Sequence, residues 1–161
     1  MRVIANVGPS ALADVQMPRP ECETVLRSVC FGHLAFIRDG HADALPIRYA
    51  YVDGWVYFRA DLNLRDIIAR NPWLVLSVSE VQNGSRVVSI IARGGCYQTE
   101  ATGTAAGDAA ALRGIVELRD RATDGRERKP RVRRSSIVFR LHVDELRGVS
   151  AVVPCPARER P

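Results

Sequence analysis

The sequence predicts a mainly β fold: a six-stranded antiparallel barrel, closed or split, with flanking helices. Three observations carry this. Asp39-Gly40 and Asp53-Gly54 stand between apolar runs, and Asp-Gly is a strong signal for a two-residue hairpin turn. The runs themselves alternate, as in Leu45, Ile47, Tyr49 and Tyr51, with the two-residue period of a strand. No strand–helix–strand unit repeats, so a parallel sheet is not expected. Closing the strands into a barrel removes exposed edges.

The elements follow in order. Residues 1–19 lack periodicity and contain Pro9 and Pro18, and read as an N-terminal arm. Pro20 suits the first position of a helix over 21–28, where Cys22, Val25 and Leu26 share a face. Strands are expected at 31–38, 43–52 and 55–60, joined as a meander. A short helix over 63–70 would start at Asn63 as N-cap, with Asp66 three residues on as a variant capping box. Asn71-Pro72 would end it, because the residue before proline avoids the helical region. Strands at 73–79 and 86–99 follow, the second interrupted by Gly94-Gly95, a bulge or a close backbone approach. The stripe Ala105, Ala109, Leu112 and Val116 predicts a helix over 104–121. Residues 122–134 form a polar loop rich in arginine, 135–143 a sixth strand, and 150–161 a proline-containing tail. One barrel domain over 20–149 is the expected organisation.

Composition sets limits on function. The 161 residues are 47% apolar and 25% charged, ordinary for a globular chain and unlike a disordered one. No stretch approaches the roughly 18–20 apolar residues of a membrane span, and no signal peptide is evident. A soluble, cytoplasmic protein is expected. Net charge is +5, and Lys129 is the single lysine among 23 basic residues. This arginine bias fits a GC-rich genome as well as an anionic partner such as a phosphate-bearing cofactor. Nucleic acid is not the expected partner, because no aromatic residues interleave with the arginines of 126–134 as stacking platforms. Cys22, Cys30, Cys96 and Cys155 form no Cys-x-x-Cys pair, and His33, His41 and His142 lie far apart, so no metal site is expected.

No motif for nucleophilic, P-loop or zinc chemistry is present. The candidate site is the junction of the third strand and the short helix. Arg59 closes the strand, Asn63 opens the helix and Arg65 lies in its first turn. A helix N-terminus presents free N–H groups and partial positive charge, and two arginines beside it would clamp a phosphate. The alternative is that Arg59 and Arg65 pair with Asp61 and Asp66 on a solvated face.

Several segments carry a resemblance. They are Phe31-Gly32-His33-Leu34-Ala35-Phe36, Ala44-Leu45-Pro46-Ile47-Arg48-Tyr49 and Asp53-Gly54-Trp55-Val56-Tyr57-Phe58-Arg59, followed by Arg70-Asn71-Pro72, Ser89-Ile90-Ile91-Ala92-Arg93-Gly94 and Val138-Phe139-Arg140-Leu141. In this order, over roughly 21–148, the chain resembles pyridoxamine 5′-phosphate oxidase-related proteins, the FMN-binding split-barrel group that includes nitroimidazole-resistance-type proteins. The resemblance implies a split-barrel homodimer with FMN at the subunit interface. It places Leu45, Pro46, Ile47, Arg48 and Tyr49 along the flavin ring. Phe58, Arg59, Ala60, Asn63, Leu64 and Arg65 would lie at its phosphate, and Ser89 and Arg93 near the flavin, from the partner subunit if the site is shared. Members often carry Gly-Ser/Thr-Lys before the short helix; here Asn63 stands for the hydroxyl and Arg65 for the lysine. The substrate-binding signature of true pyridoxamine 5′-phosphate oxidases is not recognisable, so vitamin B6 synthesis is not predicted.

The expected function is an FMN-dependent oxidoreductase acting on a small molecule, with no catalytic residue assigned. The alternative is a flavin, F420 or haem binding module without turnover, since relatives of the fold use those cofactors.

Overall fold

The computed structural model describes residues 15–99, 114 and 137–152. The expected helix over 104–121, apart from Gly114, and the basic loop over 122–134 lie outside the described residues, as does Cys155.

A two-residue strand β1 (Val15–Gln16) leads into helix α1 (Arg19–Ser28). Pro20 lies in the first turn of α1, where its missing N–H costs nothing. Glu23 pairs with Arg19 at 3.0 Å and Arg27 at 3.4 Å, one helical turn either side. Strands β2 (Phe31–Arg38), β3 (His41–Val52) and β4 (Trp55–Ala60) form the expected meander. Its turns place Asp39 and Gly40 at φ 50° and 81°, and Asp53 and Gly54 at 49° and 83°. Positive φ at both central residues twists the strands correctly, which is why Asp-Gly stands there.

Helix α2 (Leu62–Arg70) begins earlier than expected. Its N-cap is Asp61, whose carboxylate accepts the Leu64 N–H at 3.1 Å; Asn63 lies inside the first turn. The Asp61 backbone is extended, as a cap requires, and its carboxylate reaches the third N–H.

Strands β5 (Trp73–Gln82) and β6 (Arg86–Gln98) form a long hairpin around Asn83-Gly84, also at positive φ. The chain returns as β7 (Ile137–His142) and β8 (Glu145–Val152).

The pairing closes a ring of six antiparallel strands in the order β6-β5-β2-β3-β4-β7, with β7 joined back to β6. β8 and then β1 extend the sheet outside the ring. This is a split barrel. The split lies in β6, whose residues 86–93 pair with β8 while 96–98 pair with β7. The partner changes at Gly94-Gly95. There is no bulge there, because the register to β5 runs on through Leu74↔Gly94 and Trp73↔Gly95. The glycine serves close approach: a Cβ on Gly94 would collide with the His142 carbonyl. Val15 and Gln16, expected in an N-terminal arm, pair instead with β8, a strand not expected from the sequence that runs from the barrel domain into the expected tail, with Val15 opposite Ser150 and Gln16 opposite Val149.

The core fills the barrel with Leu34, Phe36, Ile47, Tyr49, Val56, Phe58, Leu74, Leu76, Ile90, Phe139 and Leu141. α1 adds Cys22, Val25 and Leu26, and α2 adds Leu64 and Ile68. Ala50, Val52 and Tyr57 form a second buried cluster outside the barrel wall. The helical Gly114 lies so close to the Tyr57 ring that no Cβ would fit. The end of β3 is therefore buried on both faces and loses its alternation. No helix among the described residues is long and apolar enough to cross a membrane.

Candidate functional site

The site grows from the end of β4. Phe58 points into the barrel, so strand alternation turns Arg59 outward. Ala60 and the Asp61 cap then swing the chain into α2. Asn63, Asp66, Ile67 and Arg70 fall three, four and seven residues apart and share one helical face. That face, the end of β4, Leu45 of β3 and the β2–β3 turn at Arg38 and Asp39 enclose a cleft of about 710 Å³.

Arginines and aspartates both line the cleft. Arg38 lies 3.4 Å from Asp43, and Asp66 is paired with Arg65 at 3.2 Å. Asp61 is occupied by the helix end it caps. Arg59 and Arg70 have no carboxylate or hydrogen-bond partner among the described residues. The cleft thus presents two uncommitted guanidinium groups, each with donors in the fork geometry that suits phosphate.

The residues singled out from the sequence fall into four places. Leu45, Arg59, Ala60, Asn63 and Leu64 line the cleft. Arg65 does not; its guanidinium is paired with the neighbouring Asp66, and both side chains are exposed. Ile47, Tyr49 and Phe58 are buried in the core. Pro46, Arg48, Ser89 and Arg93 lie on the outer face of the sheet formed by β8, β6, β5, β2 and β3. On that face Arg48 is opposite Phe31, Ser89 meets Ser79 at 3.1 Å, and Arg93 lies 3.8 Å from Glu145.

Sequence reading missed Arg38, Asp61 and Arg70 as cleft residues. The i, i+3, i+4, i+7 spacing from Asn63 carried the signal for Arg70. Arg38 had none, because only the barrel's closure brings the β2–β3 turn beside α2.

The histidines remain apart. His33 is exposed on β2 beside Phe31, and His41 Nδ1 lies 3.0 Å from the Asp39 carbonyl. His142 Nδ1 lies 2.6 Å from Asp144 Oδ1. Among the described residues no three metal-ligating side chains come together. Burial pushes the Cys96 thiol up to about 12 and also raises Cys22.

A sequence model described as pyridoxamine 5′-phosphate oxidase matches residues 18–150, which include every element from α1 to the cleft and back through β7. The chain belongs to the pyridoxamine 5′-phosphate oxidase family. The family's split barrel recurs in solved structures at low identity. An FAD-binding protein from Mesorhizobium loti superposes with a TM-score of 0.67 at 18% identity, covering 86% of this chain and 99% of that one. An FAD-binding protein from Mycobacterium smegmatis gives 0.62 at 17%, covering 86% and 98%. An FAD- and haem-binding protein from the same organism gives 0.60 at 16%, covering 87% and 74%. At such identities the likeness is one of fold. No curated protein matches by sequence.

Proposed function

We propose that this family member is a flavin-dependent oxidoreductase whose cleft at the β4–α2 junction holds the phosphate-bearing end of a flavin nucleotide. The carrying observation is the pair Arg59 and Arg70, uncommitted in one cleft with Asn63 between them. Its volume of about 710 Å³ suits a cofactor, since ligand pockets run from about 300 to 1,000 Å³. Arg59 and Arg70 would bind phosphate oxygens, Asn63 would donate its amide, and Leu45 and Ile67 would pack on the adjoining apolar part. When bound, the flavin supplies the hydride and electron transfer. The protein's share is binding, orientation and exclusion of water. FMN, the cofactor implied by the resemblance, is the smallest nucleotide that meets this need.

The outer sheet face supports a homodimer. Phe31, Ile37 and Trp73 are about half exposed on it, among small residues such as Ala35 and Ser77. A second copy laid on that face would cover them and bring Arg48, Ser89 and Arg93 beside a shared ligand. Cys22, Cys30 and Cys96 are free thiols, which agrees with a reducing, cytoplasmic setting. A second reading, a flavin, F420 or haem binder without turnover, draws on the neighbour described as binding FAD and haem.

The test is a visible spectrum and a flavin titration of the purified protein, followed by anaerobic reduction with NAD(P)H. Saturable binding near one flavin per subunit, with reduction faster than that of free flavin, supports the oxidoreductase. Binding without faster reduction favours the module. A protein that ignores flavin overturns both flavin assignments and leaves haem to be tested.

A further inference from the structure

Resting on the flavin reading, we infer that Arg38 is a movable third cation of the cleft, held by Asp43 in the empty protein and transferred to the phosphate of the ligand on binding. Arg38, Arg59 and Arg70 line the cleft together with Asp39, Asp61 and Asp66. Two of these six charges are neutralised by residues that do not line it. Arg65 pairs with Asp66 at 3.2 Å, and Asp43 pairs with Arg38 at 3.4 Å. What remains is Arg59 and Arg70 against Asp39 and Asp61, a net charge of zero. A phosphate monoester brings about −1.5 to −2 at pH 7. Two arginines offset by two carboxylates do not balance that charge. Arg38, once released from Asp43, adds the positive charge that is missing.

The pair that holds Arg38 opens at little cost. Both side chains are about half exposed, and Nη1 lies 3.4 Å from Oδ2 of Asp43. An exposed ion pair biases its partners by about fivefold or less. A charge-assisted hydrogen bond to phosphate biases binding by about tenfold or more. Exchange of the carboxylate for phosphate is therefore favourable. Asp43 does not follow, because its Oδ1 accepts the Ala44 N–H at 2.8 Å. The Arg38 guanidinium lies 5.4 Å from the centre of the buried Phe36 ring, which faces the same side of β2. That ring gives the side chain a fixed base from which only its tip need move. Asp43 thus acts as a competitor built into the chain, and it lowers the affinity of the cleft for an anion.

The experiment titrates flavin-free protein with FMN and with riboflavin, which lacks the phosphate, following flavin fluorescence. Four chains are compared: native, Asp43→Asn, Arg38→Gln and the double variant. Asp43→Asn is expected to tighten FMN binding about threefold, because it frees Arg38. Arg38→Gln is expected to weaken FMN binding about tenfold. Adding Asp43→Asn to Arg38→Gln is expected to bring no further gain, since the cation that Asp43 restrains is gone. Riboflavin binding is expected to stay within about twofold throughout, which separates a lost phosphate contact from a loosened β2–β3 turn. Native FMN affinity in Arg38→Gln, an equal gain from Asp43→Asn with and without Arg38, or parallel changes for riboflavin overturns the inference and leaves the flavin reading standing. Failure of both flavins to bind the native chain overturns the flavin reading and the inference with it.

Discussion

The imidazole Nδ1 of His142 lies 2.6 Å from Oδ1 of Asp144, and the other oxygen of that carboxylate accepts the Gly95 N–H at 3.3 Å. One side chain thus ties the β7–β8 corner to the point where β6 changes partners. The Trp55 ring packs edge-on against the imidazole at 4.6 Å, and the Arg140 guanidinium lies 4.7 Å from the Trp55 ring centre. The His142 hydrogen bond, helped by the Gly95 N–H, holds the Asp144 carboxyl below its ordinary value.

A depressed carboxyl stabilises the fold above its unfolded pKa, about 3.9, and loses that contribution as pH falls through the folded value. Asp144→Asn should therefore lower the urea midpoint at pH 7, and the gap to the native chain should close below about pH 4. A gap of constant size from pH 7 to acid would show that the charge is not what the corner uses.

Gly94 faces the His142 carbonyl across the same split. Backbone on both sides leaves little room to yield. Gly94→Ala should cost about 1–3 kcal/mol, the range for overpacking, in equilibrium denaturation. An unchanged midpoint would mean that β6 and β7 can separate there freely.

Leu26 is fully buried where α1 covers the barrel. Leu26→Ala should cost about 2–5 kcal/mol, measured by the same denaturation. The loss would exceed that of any single α1 ion pair, since exposed pairs such as Arg19–Glu23 contribute about 0.3–0.5 kcal/mol.

Arg59 and Arg65 are close in sequence but differ in place. Arg59→Ala should weaken flavin binding by about 1–3 kcal/mol, the scale of a lost charged hydrogen bond. Arg65→Ala, which removes only an exposed partner of Asp66, should leave the dissociation constant within about twofold. Equal losses in a flavin titration would place both in the clamp.

Cys96 is buried and its thiol is raised to about 12, so almost none is thiolate at pH 8. Peptide mapping after iodoacetamide should find Cys96 unmodified in the native protein and modified in urea. Half-buried Cys30 provides the internal comparison. Ready native labelling of Cys96 would show that β6 opens locally.

Much of the barrel was legible because its signals are local. Asp39-Gly40 and Asp53-Gly54 announce their turns through the φ values they tolerate, and Leu45 to Tyr51 announces its inner face through a period of two. Asn83-Gly84 carries the same signal, and the turn it makes extends β5 to Gln82, three residues past the expected end at 79. Asn63 and Asp61 are both good caps, and local chemistry ranks them nearly equal. The geometry of the chain leaving β4 chose Asp61.

The sequence by itself determined the fold class, the order of the meander and the presence of Arg59 at a strand–helix junction. These depend on neighbours along the chain. Only the tertiary structure decided that β6 divides its pairing between β7 and β8, that Arg38 and Arg70 join Arg59 in one cleft while Arg65 does not, and that β3 ends buried on both faces. Each of those is a contact between residues far apart in sequence. Such contacts exist only once the ring of strands has closed, and no local propensity encodes them.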